Sequence, residues 1–122
     1  MIERMSDMPD GTIGLRAEGK LTRDDYVDVL EPALRAAFDA GAIRLVFVLT
    51  DFSGLAPGAW VEDVKVGLRT WIRDHAAWRR FAFVTDIGWL TSAMHAFAWM
   101  APGEVETFRV AQLEEAKSWA AA

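Results

Sequence analysis

The sequence predicts a single α/β domain built on a mixed sheet of about five strands with a parallel core, flanked by about four helices. Three observations carry that expectation. Two stretches, IRLVFVLT at residues 43–50 and RFAFVT at residues 80–85, are nearly continuous apolar runs rich in β-branched and aromatic side chains, as strands covered on both faces are. Segments of helical periodicity alternate with the strands, and a strand, helix, strand order folds most simply into parallel pairs joined by right-handed crossovers. A chain of 122 residues with 52% hydrophobic content can close one core of its own.

The elements follow in order. After a short N-terminal segment, residues 12–19 alternate around Ile13, Leu15 and Ala17, the period of a half-buried strand at an edge or in an antiparallel pair. In LTRDDYVDVLEPALRAAFDAG, Thr22 reads as a helix N-cap with Asp25 three residues on, and Asp24 adds a second acid where the helix dipole favours it. Tyr26, Leu30, Leu34 and Phe38 form the buried stripe, Gly41 ends the helix, and Pro32 removes a backbone donor and should kink it. The run from Ile43 is the best candidate for the sheet centre. Pro57 suits the first turn of a second helix, in which Trp60, Val64, Leu68, Trp71 and His75 share one face. A third helix over residues 89–100, a short strand in VETFRV and a closing helix in AQLEEAKSWAAA complete the order: strand, strand, helix, then strand and helix three times over. The core should hold Leu30, Leu34, Leu45, Phe47, Leu49, Val64, Leu68, Phe81 and Phe83.

Composition narrows the function. Thirteen basic against 18 acidic side chains give a net charge of −5, and a pI near 4.9 opposes general attraction to nucleic acid. Without cysteine there is no disulfide, thiolate nucleophile or thiolate metal site, which suits a reducing compartment. MIERMSDMPDG carries charges where a signal peptide would hold its apolar core, and no run approaches the roughly 18 apolar residues of a membrane span. A cytoplasmic protein is expected.

The candidate catalytic motifs each have a structural explanation. Residues 14–20 match a phosphate-binding loop until Leu21 stands where a hydroxyl should bind magnesium, and the stretch reads as the alternating strand itself. His75 and His95 lack the spacing that puts two metal ligands on one helical face. Asp24, Asp25 and Asp28 are explained by the helix start. Thr85 and Asp86 end a buried strand at the edge where open α/β sheets bind ligands, although a turn-forming aspartate explains them better. No nucleophile elbow or dinucleotide loop is present. The expectation is a protein that is not an enzyme and uses no cofactor or metal.

Taken together and in order, GKLTRDDY at residues 19–26, Pro32, GAIRLVFVLTDFSG, AWVEDVKVGLRTW, RFAFVTDIGW and VETFRVAQLEEAKSWA resemble the SpoIIAA-like family, which has the STAS fold of anti-sigma-factor antagonists. The resemblance covers nearly the whole chain. It implies a small mixed-sheet domain, often a homodimer, with no established enzymatic activity and a likeness to lipid-carrying Sec14-type folds. It also raises the question of a phosphorylated serine. In anti-sigma antagonists the acceptor opens a helix within an Asp-Ser-Ser/Thr-Gly-Leu motif. Here DFSGL follows the strand directly, Phe52 stands after Asp51, and aligning the strands puts the acceptor region on Ala56, Pro57 and Gly58, which carry no hydroxyl. Ser53 therefore reads as a turn residue bonded to local backbone.

Six tryptophans and seven phenylalanines are more aromatic surface than a core of this size readily hides, which points to a homodimer or a bound apolar partner. The third helix is apolar almost all round: Leu90, Met94 and Phe97 form an inward stripe, Trp89 and Met100 flank it, and Trp99 projects opposite. Lys65, Arg69, Arg73, Arg79 and Arg80 make the neighbouring stretch basic, as at an interfacial helix meeting anionic headgroups. Trp60, Val64, Trp71, Trp89, Met94, Phe97 and Trp99 are thus candidate contacts for a lipid-like ligand or a membrane surface, beneath helices hinged at Gly88 and at residues 56–58. The alternative uses of the same side chains are core and dimer packing, or the docking face for a regulatory protein.

Overall fold

The computed structural model describes residues 1–39, 41–55, 78–98 and 103–122. Its frame is one five-stranded sheet in the order β1-β2-β3-β4-β5, comprising β1 (Ile2–Met5), β2 (Ile13–Leu21), β3 (Ile43–Leu55), β4 (Trp78–Thr85) and β5 (Glu104–Phe108). β1 runs antiparallel to β2, with Ile2 opposite Ala17 and Met5 opposite Gly14. The pairs β2/β3, β3/β4 and β4/β5 are parallel. The expected mixed sheet with a parallel core is therefore present, and the apolar run from Ile43 forms its central strand.

Strand order that follows chain order has a consequence for layering. Each parallel connection steps in the same direction, so right-handed crossovers deliver their helices to one face of the sheet. The described helical residues obey this. Ala33, Leu34 and Ala37 of α2 (Glu31–Asp39) pack in one cluster with Ile13, Leu15, Ala17, Leu45, Leu49 and Phe83, and Leu90 and Met94 of α3 (Gly88–Ala98) pack against it. The chain then returns over the opposite face as α4 (Leu113–Ala121), where Ala116 and Ala120 meet Val46, Val48, Ala82 and Val84. Alternating residues of β3 and β4 feed the two clusters, which is why those strands read as unbroken apolar runs.

The first helical segment explains the place of Pro32. It opens as a single turn, α1 (Arg23–Asp25), under the expected reciprocal cap: Asp25 N–H donates to Thr22 Oγ1 at 3.3 Å, and Thr22 N and Oγ1 donate to Asp25 Oδ2 at 2.9 and 3.0 Å. A π turn over Tyr26–Leu30 follows, and α2 begins at Glu31. The irregularity expected at Pro32 thus lies in the turn before it. Widening that turn leaves Pro32 as the second residue of α2, where a missing backbone donor costs little. Of the expected core, Leu34, Leu45, Leu49 and Phe83 are buried, while Leu30, Phe47 and Phe81 are half-buried against the first cluster. Val64 and Leu68 lie outside the described residues.

One expectation is corrected. Ser53 does not sit in a turn, because β3 continues to Leu55. The register with β2 passes from Ala17/Leu49 to Glu18/Asp51, then from Gly19/Phe52 to Lys20/Gly54, leaving Thr50 and Ser53 as extra residues of β3. Two bulges let the strand run on through a sequence that has lost its alternation, and Gly19, at φ +67°, supplies the left-handed conformation beside the second.

Candidate functional site

Four aromatic rings line the face of the sheet that α2 and α3 share. Phe47 of β3 stacks on Phe83 of β4 with centroids 5.9 Å apart, Phe83 lies 6.2 Å from Phe81, and Phe81 lies 6.2 Å from Trp78. Strict alternation would send Trp78 to the face opposite Phe81. The register moves from Ile43/Trp78 to Arg44/Arg80, however, so Arg79 is an extra residue and Trp78 rejoins the row. Trp78 and Phe83 are buried, whereas Phe47 and Phe81 remain half-buried.

α3 is fixed over this side of the sheet by polar contacts at its start. Thr85, 2% exposed, donates its hydroxyl to Leu49 O at 2.9 Å and accepts from Ile87 N at 3.1 Å, which joins β3, β4 and the entry to the helix. Thr91 N then donates to Ile87 O at 3.2 Å. Asp86 Oδ1 accepts from Val110 N at 3.1 Å, tying the same turn to the segment after β5. Both residues of the Thr85–Asp86 pair therefore have structural partners, in keeping with a turn. Further along, His95 Nε2 and Thr107 Oγ1 lie 2.8 Å apart and link α3 to β5.

The sequence-derived candidates separate accordingly. Met94 is half-buried on the first cluster beside Leu90, while Trp89 is 62% exposed on the outer side of α3. Phe97 is placed only by its backbone, near the C-terminal end of α3. Trp60, Val64, Trp71 and Trp99 lie outside the described residues, as do His75, Lys65, Arg69, Arg73 and residues 56–58. The helix itself carries no Asp, Glu, Lys or Arg from Gly88 to Ala98, and its outward positions include Trp89, Ser92, Ala93 and Ala96.

The basic stretch requires a correction at Arg80, which serves α4 and not a headgroup surface. Alternation with Phe81 places Arg80 on the opposite face, where Nη1 donates to Trp119 O at 2.7 Å and the guanidinium stacks 5.0 Å from the Trp119 ring centroid. Its Nε also pairs with Glu104 Oε2 at 2.9 Å. With Arg44 Nη1 donating to Ala120 O at 2.9 Å, two strand arginines satisfy the last carbonyls of α4.

A second polar cluster has no counterpart in the sequence reading. Lys117 of α4 is 5% exposed, yet its ammonium donates to Asp7 Oδ2 at 2.8 Å and Glu114 Oε1 at 3.3 Å. The hydrogen bond to Asp7 raises the Lys117 pKa above its ordinary value and lowers that of Asp7. A lysine in a terminal helix reads as solvated, so only the fold reveals this contact. At Asp25, burial opposes ionisation, but hydrogen bonds from Thr22 and the N-terminal ammonium outweigh it and hold the carboxyl below its usual range. Among the described residues no group of three or more His, Cys, Asp or Glu side chains could hold a metal ion, and no helix is long and apolar enough to cross a membrane.

Comparison with known proteins agrees with this architecture. Among curated proteins no match is found. Among solved structures, an uncharacterized protein from the DUF3478 family with a SpoIIAA-like fold, from Shewanella loihica PV-4, superposes with a TM-score of 0.69 at 27% identity, over 97% of this chain and 92% of that one. The SpoIIAA-like family model matches residues 12–121, from the start of β2 to the end of α4. The parallel core, the crossover helices on one face and the returning terminal helix are thus those of the SpoIIAA-like family, to which this chain belongs.

Proposed function

We propose that the protein is a non-enzymatic STAS-like module that takes up an apolar, lipid-like ligand against the aromatic row of β3 and β4, with α3 as the cover. The observation that carries this reading is the pairing of half-buried Phe47 and Phe81 with a helix that has no charged residue from Gly88 to Ala98. A lipid chain needs apolar area and asks for few polar groups, whereas catalysis needs a positioned base or nucleophile. The polar groups around α3 are engaged in holding it: Thr85, Asp86 and His95 each have a structural partner. Peripheral contact with a membrane would use the same helix, with Trp89 at the headgroup level.

Native mass spectrometry of the purified protein, with organic extraction of what travels with it, tests the proposal. A co-purifying fatty acid or lipid that is lost in a folded Met94→Lys variant supports it. A clean apo mass together with no binding to neutral or anionic liposomes overturns it.

A second reading is favoured by the exposure of Trp89 on an uncharged helix face: a regulatory protein-interaction module, resembling an anti-sigma-factor antagonist without its phosphoacceptor serine. In that case Trp89→Ala abolishes capture of one stoichiometric protein, or dissociates a homodimer in sedimentation, while the apolar extract stays empty.

A further inference from the structure

The face of the sheet beneath α4 is completed over β2 by the chain between β1 and β2. Gly14 of β2 makes this possible. A Cβ at that position would lie 2.5 Å from Met8 Sδ and 2.7 Å from Met8 Cγ, so the Met8 side chain occupies the space a residue-14 side chain would need. Met8 and Met5 pack against the cluster of Val46, Val48 and Ala116, and Met8 is half-buried. The neighbouring Asp7 is fastened to α4 through Lys117 at 2.8 Å, which holds the segment down.

Next along the same face of β2 stands Arg16, opposite Val48. Its Nε is buried and has no hydrogen-bond partner among the described residues, and Thr12 Oγ1, two residues before Gly14, is in the same condition. A buried donor with no acceptor costs free energy of the order of a lost hydrogen bond, about 1–3 kcal/mol, and native structures carry few of them. A thioether is a weak acceptor, and Met8 Sδ makes no hydrogen bond to Arg16 Nε. An oxygen on that sulfur would be a strong acceptor beside Gly14, which Thr12 and Arg16 flank two residues to either side along the chain.

We propose that Met8 is a peroxide-sensitive modification site whose sulfoxide oxygen is held by the unpaired Nε–H of Arg16, with Thr12 Oγ1 as a second donor. The reaction needs only a hydroperoxide. A lone pair of Sδ attacks one peroxide oxygen of hydrogen peroxide, the O–O bond breaks, and the released hydroxide takes up the remaining proton as water. Sulfur is thereby oxidised by two electrons to the sulfoxide. A sulfoxide ordinarily disrupts an apolar cluster. At Met8 the buried donors offset that penalty, so the oxidised segment stays in place, and a sulfoxide reductase can restore the thioether.

The test treats the folded full-length protein with dilute hydrogen peroxide, maps oxygen gain by peptide mass spectrometry, and compares thermal midpoints. Met8 is expected to gain one oxygen while the protein remains folded. The oxidised wild type should melt no lower than an identically treated Met8→Leu control, in which every other methionine is oxidised alike. In Arg16→Leu the same treatment should lower the midpoint relative to Arg16→Leu/Met8→Leu. Exchange of the Arg16 Nε–H with solvent, followed by nitrogen-edited NMR, should slow about tenfold on oxidation as the bond forms. If Arg16→Leu does not fold, Met8→Gln serves, because its amide oxygen imitates the sulfoxide: it should be at least as stable as Met8→Leu. A Met8 that stays reduced while Met1 is fully oxidised overturns the proposal. So does an oxidised wild type that melts below its Met8→Leu control, or an Arg16 Nε–H whose exchange is unchanged.

Discussion

Replacing Thr85 by valine isolates the polar joint that seats α3. The two side chains are close in size, so the change exchanges one hydroxyl for a methyl with little cavity or overpacking. Two contacts are lost, the donation to Leu49 O at 2.9 Å and the acceptance from Ile87 N at 3.1 Å, at a residue 2% exposed. A carbonyl retains a second lone pair, so most of the cost falls on the Ile87 N–H left without an acceptor. That argues for about 2 kcal/mol, within the range of about 1–3 kcal/mol for a buried unsatisfied group. For a domain of this size about 2 kcal/mol lowers the melting midpoint by about 8 °C. Thr85→Ser keeps the hydroxyl and gives up one methyl, about 0.8 kcal/mol. The assay is thermal unfolding by circular dichroism, paired with amide exchange at Thr91, whose N–H donates to Ile87 O. Valine should cost more than serine and should speed exchange at Thr91. If valine is as stable as threonine, or if Thr91 keeps its protection, the hydroxyl does not seat the helix and the argument fails.

Other perturbations address the rest of the frame. Leu15→Ala removes a fully buried side chain from the first cluster and should cost about 2–5 kcal/mol, read by chemical denaturation. Thr22→Ala dismantles the reciprocal cap with Asp25 and should cost about 1 kcal/mol, with the loss confined to exchange in the first helical turns. The pair Asp7–Lys117 makes stability depend on pH at both ends. Asp7 has a depressed folded pKa, so its contribution is complete above the ordinary carboxyl value of 3.8 and is lost as pH falls through the folded value. Lys117 has a raised folded pKa, so its share is complete below 10.5 and is lost as pH rises through the folded value. Asp7→Asn should flatten the acid limb of the stability curve measured in urea, and an unchanged limb would contradict this assignment.

What the sequence revealed and concealed follows from how far each signal reaches. Buried strands announce themselves through β-branched and aromatic runs, so β3 and β4 and the centre of the sheet were legible, as was the helix start at Thr22, where cap and partner lie within one turn. The hidden features are those in which the backbone breaks its own period or a distant partner redefines a side chain. A bulge at Arg79 moves Trp78 onto the face of Phe81, opposite to that of Arg80, and nothing within WRRF marks that shift. Bulges at Thr50 and Ser53 likewise carry β3 through DFSGL, which reads as a turn. Lys117 becomes a buried cation only because Asp7, 110 residues away, is folded over it.

The same bulge at Arg79 also separates the two faces of the sheet by task. On one side it completes a row of four rings, beneath a helix whose described polar neighbours hold it in place and whose own sequence has no charge to solvate. On the other, Arg80 brings a guanidinium to the Trp119 ring and carbonyl, so that the arginines of β3 and β4 together close the end of α4. The second face is thus committed to structure by charge-assisted contacts, and these are among the stronger hydrogen bonds a fold can make. Away from the Thr85 and His95 contacts that hold α3, the first face relies on dispersion and apolar burial, and such packing tolerates an exchange of partner: an acyl chain can take the place of a side chain without leaving a polar group unpaired. Strict alternation from Trp78 to Phe81 would put Trp78 beside Arg80 under α4 and take one ring from the row, so the extra residue is what lets Trp78 and Arg80 serve opposite faces. Arg80→Leu is therefore expected to destabilise the C-terminal helix while leaving lipid uptake intact, whereas Arg79→Ala, which keeps the extra residue, should preserve both. Loss of both properties in Arg79→Ala would show that the side chain and not the bulge sets the division.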